Sequence, residues 1–340
     1  MPALDQLGRP QRSLRLSVTD RCNLRCTYCM PEADYTWLPK HDILTFDETV
    51  RIVARFMAAG VDKVRVTGGE PLIRQDLPVL VRMLAGLGLR DLALTTNGIQ
   101  LPEQGRALRD AGIRRVTVSL DTLRADRFRA LAGRDRLDAV LAGIEHARTL
   151  AFAQIKLNTV VIRGQNDDEL VELCRFARDV GAELRFIEYM DVGGATQWDR
   201  TSVVPRQEIL ARLADAFGGV EPLAEQDWAP ADRFRLGDGL VVGVISSTTE
   251  PFCRTCDRTR LTADGMWYTC LYARDGIDLR SALRAGADDR ELLDLIERVW
   301  SGRRDRAAEE RVALREDRRA LAGAAELRTN PHLEMHKRGG

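Results

Sequence analysis

From Leu14 to Met190, short apolar runs alternate with longer amphipathic stretches. The runs at 14–19, 61–67, 92–96, 115–120, 155–162 and 184–190 are rich in β-branched residues, the pattern of buried strands. Between most of them apolar positions recur every three or four residues. That spacing predicts helices over 46–59, 76–87, 103–111, 137–150 and 167–180, with Val50, Val53, Ala54 and Met57 forming one such stripe. Gly60, Gly112 and Gly181 follow three of these helices, where a chain leaves the helical conformation most easily. Strand–helix repetition implies a parallel sheet covered by helices. Six repeats suit an open barrel and a doubly wound sheet equally well.

The pattern changes after Gly194, which divides the chain into a core over 1–194 and a second part over 195–340. Residues 195–232 hold one helix, over 206–217, and a loop rich in Ala, Pro and Asp. Gly237-Asp238-Gly239 and Asp264-Gly265, flanked by alternating or apolar residues, predict two antiparallel hairpins. Helices follow over 278–285 and 289–300. The stretch 302–325, dominated by Arg, Ala and Glu, predicts a solvated helix, and the chain ends Lys337-Arg338-Gly339-Gly340.

Composition narrows the class. The 51 basic and 51 acidic residues cancel, leaving no global field to draw the chain to nucleic acid or an anionic membrane. No run approaches the ~20 apolar residues of a membrane span, and residues 1–10 lack a signal-peptide pattern. Six of the seven cysteines form two triplets: Cys22, Cys26 and Cys29 as C-x3-C-x2-C, then Cys253, Cys256 and Cys270 as C-x2-C-x13-C across the Asp264-Gly265 hairpin. Triplets fit metal binding in a reducing, cytoplasmic compartment better than a disulfide framework. A closed zinc site wants four protein ligands, and neither triplet has a fourth nearby. Three thiolates on a four-iron cluster leave one iron open. Cys174 lies on the apolar side of its helix as core, and the four histidines form no ligand group.

The loop Thr19-Asp20-Arg21-Cys22-Asn23-Leu24-Arg25-Cys26-Thr27-Tyr28-Cys29, placed after the first strand, resembles the signature of the radical S-adenosylmethionine enzymes. Gly68-Gly69-Glu70-Pro71, after the second strand, resembles the family segment that receives the cofactor's amino group. Thr95-Thr96-Asn97-Gly98 and Ser119-Leu120-Asp121 also fall at strand ends, which favours a ligand-lined rim. The second triplet, with the diglycine end, narrows the resemblance to the molybdenum-cofactor GTP 3′,8-cyclases over nearly the whole chain.

That resemblance implies an incomplete (β/α)6 TIM-type barrel with a smaller C-terminal α+β auxiliary-cluster domain. It implies two [4Fe-4S] clusters, on Cys22, Cys26 and Cys29 and on Cys253, Cys256 and Cys270, plus S-adenosylmethionine held by Tyr28, Gly69, Ser119 and Met190. It places GTP on Arg15, Arg65, Thr95, Lys156, Arg258, Thr259 and Arg260. The implied reaction abstracts the ribose C3′ hydrogen and joins C3′ to C8 of guanine. A flavodoxin- or ferredoxin-type donor would supply the electron, a cyclic pyranopterin monophosphate synthase would take the product, and the enzyme would be a monomer or homodimer. Two other classes are a radical peptide-modifying enzyme, which carries more C-terminal cysteines, and a zinc-binding adaptor, which would show a basic face. Arg338 stands where the family carries an apolar residue, and the Arg-rich stretch before it departs from the family pattern.

Overall fold

A computed structural model describes residues 3–224 and 229–339, so part of the 195–232 loop and the final glycine, Gly340, lie outside the described residues. Six parallel strands, β1 (Ser13–Ser17), β2 (Lys63–Thr67), β3 (Asp91–Thr96), β4 (Arg115–Ser119), β5 (Gln154–Val161) and β6 (Glu183–Glu188), stand side by side in chain order. A doubly wound sheet reverses its order at a switch point. This one does not, and sequential order is the progression of a (β/α) barrel. β1 and β6 do not pair with each other, so the barrel is incomplete.

Helices α1 (Phe46–Ala58), α2 (Leu77–Ala85), α3 (Leu101–Ala111), α4 (Ala125–Ala132), α5 (Leu137–Thr149) and α6 (Leu170–Asp179) connect the strands. α1 starts where Thr45 and Glu48 cap each other's backbone N–H groups and buries Ile52, Val53 and Phe56. These join Leu14, Leu16, Val64 and Val66 in one apolar cluster, each side chain contributing about 1.5–3 kcal/mol through burial. Strand alternation then turns Arg15 and Arg65 the other way, into the barrel. α4 is the helix that apolar spacing did not predict, being short and charged.

The second part of the chain extends the same sheet at both edges. β9 (Val241–Ile245) lies parallel to β6, with the hairpin partner β8 (Asp232–Leu236) and then β7 (Val220–Pro222) outside it. β10 (Arg258–Leu261) lies parallel to β1, followed by β11 (Met266–Tyr268) and β12 (Ile277–Asp278). Both predicted hairpins form. α7 (Arg206–Phe217), α8 (Leu279–Arg284) and α9 (Asp289–Ser301) match the predicted spans closely.

The predicted solvated helix over 302–325 does not form as one element. The segment breaks into α10 (Ala307–Ala313), a single 3-10 turn and loop before α11 (Ala324–Thr329). Three of its arginines, Arg303, Arg311 and Arg318, pair inward, while Arg304, Arg306, Arg315 and Arg319 stay exposed. Arg318 grips the fully buried Asp191 carboxylate at 2.7 and 2.8 Å, and Arg311 bonds the same carboxylate. Tyr272 donates to Asp191 at 2.8 Å. Gly193 and Gly194, at the boundary read from composition, are close-approach points. A Cβ would lie 1.7 Å from the Leu333 oxygen at Gly193 and 2.3 Å from the Cys29 oxygen at Gly194. Among the described residues no helix is long and apolar enough to cross a membrane.

Replacing Asp191 with asparagine leaves the buried Arg318 and the half-buried Arg311 without their counter-ion. We expect D191N to lose about 3 kcal/mol or more of stability. Chemical denaturation of the anaerobic protein measures it, and a loss below about 1 kcal/mol would show that the network does not anchor the segment.

Candidate active site at the barrel mouth

The first cysteine loop leaves the carboxyl end of β1. The Arg25 and Thr27 N–H groups donate to the last carbonyls of α4, at Ala132 (2.8 Å) and Leu131 (2.9 Å). α4 therefore braces the loop from outside, and Gly133 ends it in the left-handed conformation at φ 63°. On the inside the glycine pair after β2 docks against the loop. Gly69 and Glu70 donate to the Thr19 and Arg21 carbonyls at 2.9 and 2.8 Å, and a Cβ on Gly69 would lie 2.3 Å from the Arg21 oxygen. Only glycine allows that approach.

Glu70 itself is an anchor. Its buried carboxylate accepts from the Leu72 and Asn97 N–H groups and from the Thr96 hydroxyl, at 2.7–3.0 Å, and burial pushes its pKa up to about 7. Asn97 in turn donates to Asn23 inside the cysteine loop, at 2.7 Å. Thus the turns after β2 and β3 tie those strands to the first cysteine loop.

Cys22, Cys26 and Cys29 are half-buried and free. Burial pushes the Cys26 and Cys29 thiols well up and the Cys22 thiol to about 11, and the sulfurs repel one another's ionisation. Sulfurs close enough to interact but otherwise protonated fit iron, whose binding displaces the protons. Three thiols fall short of the four ligands of a closed zinc site and match a cluster that keeps one iron open, so the donor set fits a cluster. Tyr28 points inward and donates to Asp121 at 2.7 Å, while Asp121 also accepts from the Val160 N–H.

The second triplet converges through β10 and β11. Burial raises the Cys256 thiol, but Arg258 and Arg303 more than offset it and bring it down to about 7. Cys270, raised to about 11 by burial, also feels the Cys256 charge. One cavity of about 210 Å³ is lined by Cys253, Cys256 and Cys270 together with Tyr28, Ser119, Met190, Arg15, Arg258 and Arg260. The structure therefore gathers residues that lie far apart in the chain into one space.

A second cavity of about 590 Å³ continues from the first, sharing Arg15, Thr95 and Arg258. Arg65 and Lys156 line it. Arg65 donates to the Thr95 and Thr117 hydroxyls at 3.1 and 3.0 Å. Lys63, Arg115 and Arg185 add cations that the apolar-strand pattern did not single out. Their signal was available: each is a charge in an apolar strand, and Lys63 is two residues from Arg65 on the same face. Asp91 pairs with Arg115, and Glu183 holds Arg185 at 2.7 Å and Lys156 at 3.4 Å. Burial lowers the pKa of Arg65 to about 10, with repulsion from Arg115 and Arg185 adding to it. A polyanion would relieve that repulsion.

Gly69 contributes backbone rather than a cavity wall. Thr259 is turned away, since alternation along β10 directs Arg258 and Arg260 inward and leaves Thr259 bonded to Tyr268 and Trp267. The tail crosses the site: Arg260 donates to the Arg338 and Gly339 carbonyls at 3.0 and 2.7 Å, and the Arg338 guanidinium stacks 3.9 Å over Tyr268. The departure at Arg338 thus has a built receptor. His332, which belongs to no ligand group, bonds Asp264 at 2.7 Å.

The family model described as Radical SAM superfamily matches residues 16–177, and Molybdenum Cofactor Synthesis C matches 182–309. A Mycobacterium bovis protein named GTP 3′,8-cyclase 3 is 53% identical, covering 100% of this chain and 91% of its own. GTP 3′,8-cyclase 1 of Mycobacterium tuberculosis is 52% identical over 99% and 95%, and the Aquifex aeolicus GTP 3′,8-cyclase 44% over 99% and 99%. Streptococcus suis SuiB, in a crystal structure bound to S-adenosylmethionine, shares the fold at a TM-score of 0.59 and 16% identity, over 85% of this chain and 68% of that one.

Lys156 offers a direct test of the cationic cavity. Burial first, then repulsion from Arg185, pushes its pKa down to about 8 against the pull of Glu183. A bound polyanion raises that value, so binding takes up a proton once the pH exceeds it. Affinity for tripolyphosphate should therefore be level below pH of about 8 and decline as pH rises through it. Calorimetric titration of K156M should show weaker binding without that decline; an unchanged decline would assign it elsewhere.

Proposed function

The chain belongs to the radical S-adenosylmethionine superfamily and, within it, to the GTP 3′,8-cyclases, and we propose that it cyclises GTP in the two adjoining cavities at the barrel mouth. The observation that carries the detailed reading is the shared cavity: Cys253, Cys256 and Cys270 line it together with Tyr28 of the first cysteine loop, Cys22, Cys26 and Cys29 lie outside its lining, and a field of cations continues from it. Cys22, Cys26 and Cys29 would hold one [4Fe-4S] cluster, and Cys253, Cys256 and Cys270 a second. With S-adenosylmethionine bound, the first cluster would supply a 5′-deoxyadenosyl radical for the C3′ hydrogen; joining C3′ to C8 would leave a radical on the purine, which one electron from the donor and one proton would convert to the 7,8-dihydroguanosine product.

The chain's own residues position and shield. Tyr28, fixed by Asp121, together with Ser119 and Met190, walls the side where S-adenosylmethionine would lie, and the Gly69 backbone lies beside the first cluster's loop. Arg258 and Arg260 stand between the second triplet and the barrel, where a guanine on the open iron would be met. Arg15, Arg65 and Lys156 face the larger cavity, where a triphosphate would satisfy charges that now repel one another. Thr95 orients Arg65. Thr259 would support β10 rather than contact GTP. The enzyme would act in the cytoplasm, take its electron from a flavodoxin- or ferredoxin-type donor and pass its product to a cyclic pyranopterin monophosphate synthase. The relatives favour this over a peptide substrate.

Anaerobic reconstitution should give about eight irons per chain and, with reductant, S-adenosylmethionine and GTP, a cyclised nucleotide. About four irons, or 5′-deoxyadenosine released only with a peptide, would overturn the reading. R65A should weaken GTP binding on the order of 10- to 100-fold while leaving guanosine binding and iron content unchanged. Equal losses for both ligands would move Arg65 away from the phosphates.

A further inference from the structure

An N-terminal arm precedes the barrel, outside both family matches. Its centre is a buried ion cluster. One oxygen of Asp5 accepts from the Leu7 and Arg9 N–H groups, both at 2.9 Å. The other accepts from Arg9 Nε at 2.6 Å and from Arg303 Nη1 at 3.3 Å. Both guanidinium groups then reach the second triplet's ligand loop. Arg9 Nη1 donates to the Cys253 carbonyl at 2.6 Å and to the Asp305 carbonyl at 2.9 Å. Arg303 Nη1 donates to the Cys256 carbonyl at 2.9 Å. Asp305 in turn accepts from Thr269, next to Cys270, at 2.6 Å. Trp300 packs under Arg303, 4.5 Å away, and donates to the Arg9 carbonyl at 3.2 Å.

One donor in this cage is unused. Arg9 Nη2 is buried without a hydrogen-bond partner, and Arg9 lines the cavity that contains Cys253, Cys256 and Cys270. The side chain is 1% exposed to bulk solvent. A buried guanidinium N–H left unmade costs about 1–3 kcal/mol or more. The planar guanidinium fixes where Nη2 lies once Nε and Nη1 are held by Asp5 and Cys253. It lies beside the ligand loop.

We propose that Arg9 is a cofactor-contacting residue of the second cluster, its free Nη2 donating to a cluster or thiolate sulfur, with Asp5 as the residue that positions it. The inference rests on the second triplet holding a cluster. A cation donating to sulfur stabilises the reduced, more negative cluster and so raises its potential. The arm before the barrel is then a part of the electronic environment of the substrate-side metal centre, reached from the other end of the chain.

Redox titration of the reconstituted full chain, followed by electron paramagnetic resonance, tests this on wild type, Arg9→Met and Arg9→Lys. The signal that GTP perturbs identifies the second cluster. In Arg9→Met its potential should shift negative while the first cluster's is unchanged, and Arg9→Lys, which keeps the charge but not the second donor, should fall between. About four irons in wild type would remove the second cluster and the inference with it. With about eight irons in wild type, an unchanged potential in Arg9→Met overturns the inference alone. Loss of the second cluster from both variants would assign Arg9 to holding the loop only and overturns it too. Weaker GTP binding at an unchanged potential would place Nη2 on the substrate and equally overturn it.

Discussion

Like charges stand side by side inside this sheet. Arg260 on β10, Arg15 on β1 and Arg65 on β2 occupy registered positions on three adjacent strands, all facing the barrel interior. Burial and mutual repulsion both disfavour their charged forms. The arrangement persists because the opposite faces of the same strands bury Leu14, Leu16, Val64 and Val66, and because strand alternation allows no other orientation. Much of the remaining structure supplies partial compensation. Asp91 meets Arg115, Glu183 meets Lys156 and Arg185, Thr95 and Thr117 meet Arg65, and the tail carbonyls meet Arg260. A site held this way favours an anion over water before any ligand arrives.

Buried carboxylates perform the complementary task at the strand ends. Glu70, Asp121, Glu188 and Asp191 would look like acid–base candidates in a sequence scan. Each instead accepts several N–H or O–H groups and fixes a turn. Glu188 takes the N–H groups of Arg206, Thr248 and Thr249, which positions the loop beyond β9. Asp191 gathers Arg311, Arg318 and Tyr272, so the arginine-rich segment is drawn in against the wall beside Cys270. Charge inside this protein is therefore divided: anions tie backbone together at the rim, and cations line the larger cavity.

The N-terminal arm and the C-terminal tail both reach the cysteine loops. The N-terminal arm holds the Cys253 and Cys256 carbonyls through Arg9 and Arg303. The C-terminal tail donates from Met335 to the Gly193 carbonyl, close to where Gly194 meets Cys29. Gly339 follows against Thr67, where a Cβ would lie 2.2 Å from a methyl carbon. A glycine is required at 339 both for that contact and for its φ of 69°.

The repeat of strands and helices, both hairpins, the two ligand triplets and the cations seated in apolar strands are all legible in the residues alone. Each is a local pattern set by side-chain period or ligand spacing. Barrel and doubly wound sheet stay unresolved at that level, since period does not record which strands pair. Long-range packing settles that β9 and β10 extend the six-stranded core, that Thr259 faces away while its neighbours face in, and that 302–325, largely exposed, breaks into short elements where Arg311 and Arg318 reach Asp191. It also reveals α4 as the brace of the first cysteine loop, and Arg9 beside a cysteine 244 residues away. These outcomes depend on partners distant in the chain. A charge–charge or donor–acceptor match across that distance leaves no periodic trace in the residues that make it.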